Sequence, residues 1–298
     1  MQRRTILTLS VLALIAALIS LWVGQQAYGW MPPQASAESI LIDNLFSFLV
    51  TLGTFIFLGV TGTLIYSIAF QQAGKYEVSD GPPIEGNIKL EVVWTAIPFA
   101  LAMWIAIYSY NIYDRMGILG EIEYHPDGAT ETAVAEGETP IQVYARQWAW
   151  EFRYPDRNVS STELHLPVNQ RAKFKLVSED VIHGFFIPAF RVKQDVVPGE
   201  AIGFELTPIR EGRYRIRDSQ YSGTYFAANQ TNVVVESADE YEAWLTEVAQ
   251  QTPQVAENPA FDEYTQASTQ PINLGWQTVE PAPPPVVNYA SSANDTYE

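Results

Sequence analysis

Residues 180–229 read DVIHGFFIPAFRVKQDVVPGEAIGFELTPIREGRYRIRDSQYSGTYFAAN, and the fold is decided by how this stretch is punctuated. Pro188, Pro198 and Gly199 cut it into VIHGFFIP, AIGFELTP and GRYRIRD, runs too short for helices and rich in aromatic and β-branched residues. Outward from it, IQVYARQWAWEFRYP, STELHLP and RAKFKLVSE come before and TNVVVES comes after, with Pro155 and Pro167 as further breaks. Strands of this length at this spacing predict an all-β sandwich or barrel from about Thr139 onward.

The 298 residues suffice for one or two domains with a sizeable core. There is no cysteine, which leaves the redox compartment open and speaks against a thiol-linked lipid anchor. His125 sits in a turn-like YHPDG, and His165 alternates with Leu164 and Leu166, so both read as structural or solvated histidines. The chain carries 34 acidic and 17 basic residues; 27 of the acids and 13 of the bases lie from Arg115 on, a charge of −14 for that part. Such a surface repels nucleic acid and keeps a domain soluble, and it would steer a cationic soluble partner.

The N-terminal third has a different character. MQRR precedes an apolar run over residues 6–23, readable as a signal peptide or as a membrane helix. Its length favours a retained helix, and Ala35-Ser36-Ala37, the one cleavage-like motif, lies far beyond its end. After a polar connector over 25–38, apolar segments at 40–70 and about 90–110 flank a hydrophilic loop and predict a membrane-spanning pair. The arginines at the start belong on the cytoplasmic side, which puts the β domain on the outer side. Ser237 opens an amphipathic pattern with apolar positions at Tyr241, Trp244, Leu245 and Val248, which predicts a short helix laid on the barrel. Residues 252–298, rich in Pro, Gln, Thr and Asn, read as a disordered tail. The expected division is therefore 1–38 signal or first helix with connector, 39–113 helical pair, 114–251 outer domain and 252–298 tail.

VIHGFFIP followed by RVKQDVVPG resembles the copper-site region of subunit II of the haem-copper respiratory oxidases, whose pattern is V-I-H-S-F-x-x-P, then R-x-K-Q-D-x-x-P-G. The loop that supplies the family's other ligands, C-x-E-x-C-G-x-x-H-x-x-M, is matched in spacing only. Its cysteines fall on Asp218 and Ser222, its glutamate on Gln220, its histidine on Phe226 and its methionine on Asn229. His183 alone keeps a ligand type. Two bridging thiolates hold the family's copper pair, and this chain has none to offer. Gln-Tyr-Ser-Gly over 220–223 is similar to the quinol-oxidising branch, whereas the flanks resemble the cytochrome c branch. That mixture resembles the subunit II of cyanobacterial alternative respiratory terminal oxidases.

The resemblance implies a membrane-anchored chain with two or three transmembrane helices and a cupredoxin-like domain. It implies no cofactor in this chain, with haems and a mononuclear copper in a partner subunit I. Further partners would be subunit III, membrane lipid and, through the complex, a quinol. Phe226 is expected to fill the space left by copper with apolar bulk. The neutral Gln220 puts in doubt the family's magnesium position at the subunit I interface, where Arg191 and Asp195 are also expected. NIKLEVVWTAIP resembles the family's L-E-x-x-W-T-x-I-P, which makes Glu91 the mouth of a proton path into subunit I. Trp148, in Q-W-x-W-E-F, matches the family's electron-entry tryptophan, but copper-free relatives keep a similar pair, and a packing or interface role is the favoured reading. The function expected is that of a non-catalytic subunit in an oxygen-reducing, proton-translocating complex, in a bacterial plasma or thylakoid membrane with its β domain periplasmic or lumenal. The alternatives are an oxidase still fed by a soluble cytochrome or copper protein, and a membrane-tethered cupredoxin-like binding module outside any oxidase.

Overall fold

The structure, a computed structural model, describes residues 3–281 apart from 73, 75, 77–80, 82, 84, 119–120, 125–129, 134–139, 253 and 270–274. Met1–Met31 and Leu41–Arg115 make one compact unit, and Pro32–Ile40 with the chain from Met116 onward make the second. His125, read as a turn residue, lies outside the described residues.

The first unit is built on α1 (Arg3–Gln26), α2 (Ala37–Phe70) and α3 (Ile88–Met116). A helix of 24 residues is about 36 Å long, beyond the thickness of a bilayer core. All three are long and apolar enough to cross a membrane. Leu14, Phe57, Ile65 and Phe99 stand exposed on them, the pattern of helices whose solvent is not water. Helix α1, read as either a signal or a membrane helix, packs closely on α2. Ser47 donates from Oγ to the Gly24 carbonyl at 2.8 Å, and Tyr28 donates to Asn44 Oδ1 at 2.7 Å. A Cβ on Gly24 would lie 1.8 Å from Thr51 Oγ1, so only glycine permits this approach. Phe48 of α2 meets Trp104 and Tyr108 of α3 edge to face, with centroids 5.0 and 5.7 Å away.

In the second unit β1 (Glu121–Tyr124) and β2 (Thr130–Ala133) form a separate hairpin. The domain proper follows with β3 (Ile141–Arg146), β4 (Ala149–Tyr154), β5 (Val159–Ser161), β6 (Leu164–Pro167), β7 (Ala172–Ser178) and β8 (His183–Ile187). It ends with β9 (Val192–Val196), β10 (Ala201–Leu206), β11 (Gly212–Asp218) and β12 (Gln230–Glu236). They make two five-stranded sheets, ordered β10-β7-β3-β4-β5 and β6-β12-β11-β8-β9. The pairs β3·β7 and β6·β12 are parallel and the other pairings antiparallel. Alternation sets what faces inward: in β7, Phe174 and Leu176 are buried while Lys175 is exposed. The core between the sheets is Phe152, Phe174, Phe185, Phe204, Leu164, Leu176, Ile187, Ile216 and Val233 with their neighbours.

α4 (Ala238–Val248) lies where the sequence predicts it, with a full capping box between Ser237 and Glu240. It covers the outer side of β6, so this strand is buried on both faces, and His165 stacks on Trp244 with centroids 3.8 Å apart. His165 Nδ1 lies 2.5 Å from Glu236 Oε1, which makes it a structural histidine.

Two stretches carry more structure than their composition suggests. The stretch read as a polar connector is built into the second unit. Ala35 N–H donates to Ala189 O, Ile209 N–H donates to Ala35 O, and Ala35 and Ser36 are fully buried. Glu38, also buried, accepts from Arg171 at 2.8 Å and from the Thr207 N–H at 3.2 Å. The stretch read as a disordered tail contains α5 (Pro259–Ser268), capped by Asn258. Its order comes from packing of Ala260, Tyr264 and Trp276 on aromatic side chains of the domain, which composition alone does not register.

Candidate functional site

β8 and β11 pair inside the second sheet, with Phe185 opposite Asp218. In β8 the inward face runs His183, Phe185, Ile187; in β11 it runs Ile216, Asp218. Alternation that elsewhere fills the core with apolar groups here delivers a histidine and an aspartate into it.

His183 is fully buried, and both of its ring nitrogens are engaged. Nδ1 lies 2.7 Å from Asp218 Oδ2 and Nε2 lies 2.8 Å from Asp180 Oδ1. Asp218 is saturated in turn. Its Oδ1 accepts from the N–H groups of Gly184 (2.7 Å) and Gln220 (3.0 Å), and its Oδ2 also accepts from Ser222 Oγ (2.8 Å) and Asn229 Nδ2 (3.1 Å). Asp180 accepts from the N–H groups of Gln147 and Val181 at 2.7 and 2.6 Å. Burial works against a charge on His183, but the bonds to Asp180 and Asp218 outweigh it and raise its pKa to about 9. Burial likewise opposes both carboxylates, and their bonds to His183 and to backbone N–H groups hold them below the ordinary value. At neutral pH the cluster is Asp⁻·His⁺·Asp⁻. An imidazolium with two proton-donating nitrogens is not a metal ligand, and the 3.4 Å approach of Asn229 Nδ2 to Nδ1 is then a donor–donor contact without a bond.

Trp150 closes the cluster on one side, its ring 6.1 Å from that of His183 and its Nε1 donating to Asn229 O at 3.4 Å. Gly184 permits the loop to fold down: a Cβ there would lie 2.2 Å from Ser219 Oγ and 2.9 Å from Gln220 N.

Of the six ligand positions the structure gathers His183, Asp218, Ser222 and Asn229, all buried. Gln220 joins through its backbone N–H, while its side chain donates to Asp195 Oδ2 at 2.8 Å. Phe226 does not fill the space, contrary to expectation. It is 37% exposed and packs on the exposed Tyr221, because hydrogen-bonded polar groups already occupy the interior. Trp148 is buried (3% exposed) and its Nε1 donates to Ser222 O at 3.1 Å. Arg191 binds the carbonyls of Pro188 and Pro32. In the first unit, Glu91 Oε1 accepts from the Asn87 N–H at 3.1 Å and Asn87 Oδ1 caps the start of α3. Among the described residues no group of three or more His, Cys, Asp or Glu side chains is arranged to hold a metal.

Sequence reasoning missed Asp180 and Gly184. Both had a signal: an aspartate three residues before the histidine, and a glycine where the family pattern has serine.

A family model described as the cytochrome c oxidase subunit II transmembrane domain matches residues 20–112, and one described as its periplasmic domain matches 158–238. Cytochrome c oxidase subunit 2 of Thermostichus vulcanus is 35% identical over 269 residues, covering 77% of this chain and 81% of the relative. The chain belongs to the cytochrome c oxidase subunit II family. This subunit II is also similar to quinol oxidase subunit 2 of Bacillus subtilis, 26% identical over 235 residues, with 78% of this chain and 68% of the relative covered. Its domain aligns with the crystal structure of the periplasmic domain of subunit II of cytochrome oxidase of Bradyrhizobium japonicum, at 25% identity and a TM-score of 0.36, over 39% of this chain and 96% of that one. It is thus a membrane-anchored subunit of a haem-copper oxidase complex with a cupredoxin-like domain, which sets aside the reading as a module outside any oxidase.

Proposed function

We propose that this subunit II works without the binuclear copper relay and that its complex takes electrons from a membrane quinol. The observation that carries the reading is the state of the ligand positions. Where two thiolates would bridge the metals stand Asp218 and Ser222, bonded to each other at 2.8 Å, and His183 has a carboxylate on each nitrogen. The donor set does not fit a copper pair: no soft sulfur is present, and Phe226 cannot ligate. With no relay in the domain, a soluble donor would have to pass electrons from the surface to a buried haem in one long step. A quinol delivers them within the membrane.

In this reading the subunit braces subunit I, and subunit III completes the complex, with haems and a mononuclear copper in subunit I. Glu91 admits protons at the start of α3. Gln220 and Asp195, bonded at 2.8 Å, face subunit I, as does Arg191, and the β domain lies on the periplasmic or lumenal side. The charge of −14 from Arg115 onward favours a second reading, in which a cationic soluble donor still docks. Copper-to-haem stoichiometry of the purified complex, with near-infrared absorption and electron paramagnetic resonance, tests the first. One mononuclear copper and no mixed-valence signal is the expected result; two further coppers per complex overturn it.

A further inference from the structure

We infer that the C-terminal segment, α5 with residues 275–281, is the resident occupant of an aromatic face on the β domain beside the His183 cluster and shuts that face to partner proteins. Four rings interlock there. Trp148 and Tyr225 belong to the domain, and Tyr264 and Trp276 to the segment. Trp148 meets Tyr225 at 5.2 Å and Tyr264 at 5.3 Å, both edge to face. Tyr264 stacks on Trp276 at 5.3 Å, and Trp276 returns to Tyr225 at 6.1 Å. Ala228 and Ala260 are buried between them, and Val279 packs on the cluster.

The attachment is specific. Asn258 caps α5 by accepting from the Phe261 N–H at 3.2 Å, and its Nδ2 donates to the Gln147 carbonyl at 3.0 Å, so the start of the helix is pinned one residue from Trp148. A ten-residue helix has little stability by itself, so its order derives from this contact. Without the segment, Trp148, Tyr225 and Ala228 would form an exposed aromatic patch of the composition on which proteins dock. The face also communicates with the cluster. Trp148 Nε1 donates to Ser222 O, and Ser222 Oγ donates to Asp218. The cover's functional meaning rests on the proposed donor: a subunit fed from the membrane has no use for an open face here.

The test is hydroxyl-radical footprinting with mass spectrometry on the intact oxidase complex and on one whose subunit II ends at residue 252. Each residue is compared with itself between the two complexes. Truncation should raise the modification rates of Trp148 and Tyr225 about tenfold over those in the intact complex. Where the truncated chain does not assemble, the triple variant Asn258→Ala, Tyr264→Ala, Trp276→Ala serves and should show the same gain. Rapid modification of Trp148 in the intact complex, or protection that survives both changes, overturns the cover. Quinol-driven oxygen uptake by the intact complex separates the two proposals. Its absence with Trp148 protected in that complex sinks the donor reading alone, and its presence with Trp148 already exposed in that complex sinks the cover alone.

Discussion

His183 Nδ1 lies 2.7 Å from Asp218 Oδ2, both side chains fully buried, so a charge pair occupies two of the positions that the sequence resemblance offers as metal ligands. The pair is completed by Asp180 on the other nitrogen at 2.8 Å. The triplet ties β8 to the loop 219–229 without metal, since His183 and Gly184 from the strand and Gln220, Ser222 and Asn229 from the loop all bond to Asp218.

This makes stability depend on pH with a definite sign. The folded pKa of His183, about 9, exceeds the ordinary 6.5, so its contribution is full below about pH 6.5 and fades as pH rises through 9. The two aspartates, held below 3.8, contribute above that value and lose it as pH falls further. The alkaline loss amounts to at most about 3 kcal/mol. Asp218→Asn, which leaves the imidazolium short of a partner, should cost about 3–5 kcal/mol and flatten this alkaline limb. Thermal denaturation of the complex followed by release of subunit II, between pH 6 and pH 9.5, reads both effects.

Gly184→Ser restores the residue of the family pattern, and here it should destabilise by about 1–3 kcal/mol, because its Cβ would meet the backbone nitrogens of Ser219 and Gln220 at 3.0 and 2.9 Å. Faster proteolysis within the loop 219–229 would report it. Unchanged proteolysis and melting would mean that the loop does not sit on β8.

Phe226→Ala separates a cavity filler from a surface aromatic. A buried phenylalanine lost to alanine costs about 3–5 kcal/mol, whereas a side chain 37% exposed and touching Tyr221 should cost no more than about 1 kcal/mol. The melting temperature of the complex decides.

For Glu91 the competing roles are a proton entry and a helix cap, since its carboxylate accepts from the Asn87 N–H. Glu91→Gln keeps an acceptor for the cap and removes the titratable group, so it should preserve assembly and lower steady-state turnover about tenfold or more if protons enter there. Turnover equal to that of the unaltered complex would reduce Glu91 to a cap.

The β domain was legible because its strands alternate and are cut by proline, as in AIGFELTP and GRYRIRD. The three long helices were legible from long apolar runs, the second broken only by Asp43 and Asn44 near its start. The ligand positions could be named from spacing, but not their contents: nothing in the string says that Asp218 would collect five partners, since three of its donors are backbone or side-chain groups from other turns of the chain. Phe226 was misread because apolar volume was expected where polar satisfaction won. The fate of 254–269 was hidden for a related reason. A helix held by Tyr264 on Trp148 and by Asn258 on the Gln147 carbonyl carries the composition of a linker, and its order is a property of the surface it lands on.

The most direct measurement is oxygen uptake by the purified complex, supplied in turn with a reduced quinol and with a reduced soluble cytochrome or copper protein, across a range of ionic strength. Turnover with quinol alone, insensitive to salt, is the predicted result. Fast turnover with the soluble donor that collapses as salt rises would contradict it and make the acidic outer domain a docking surface.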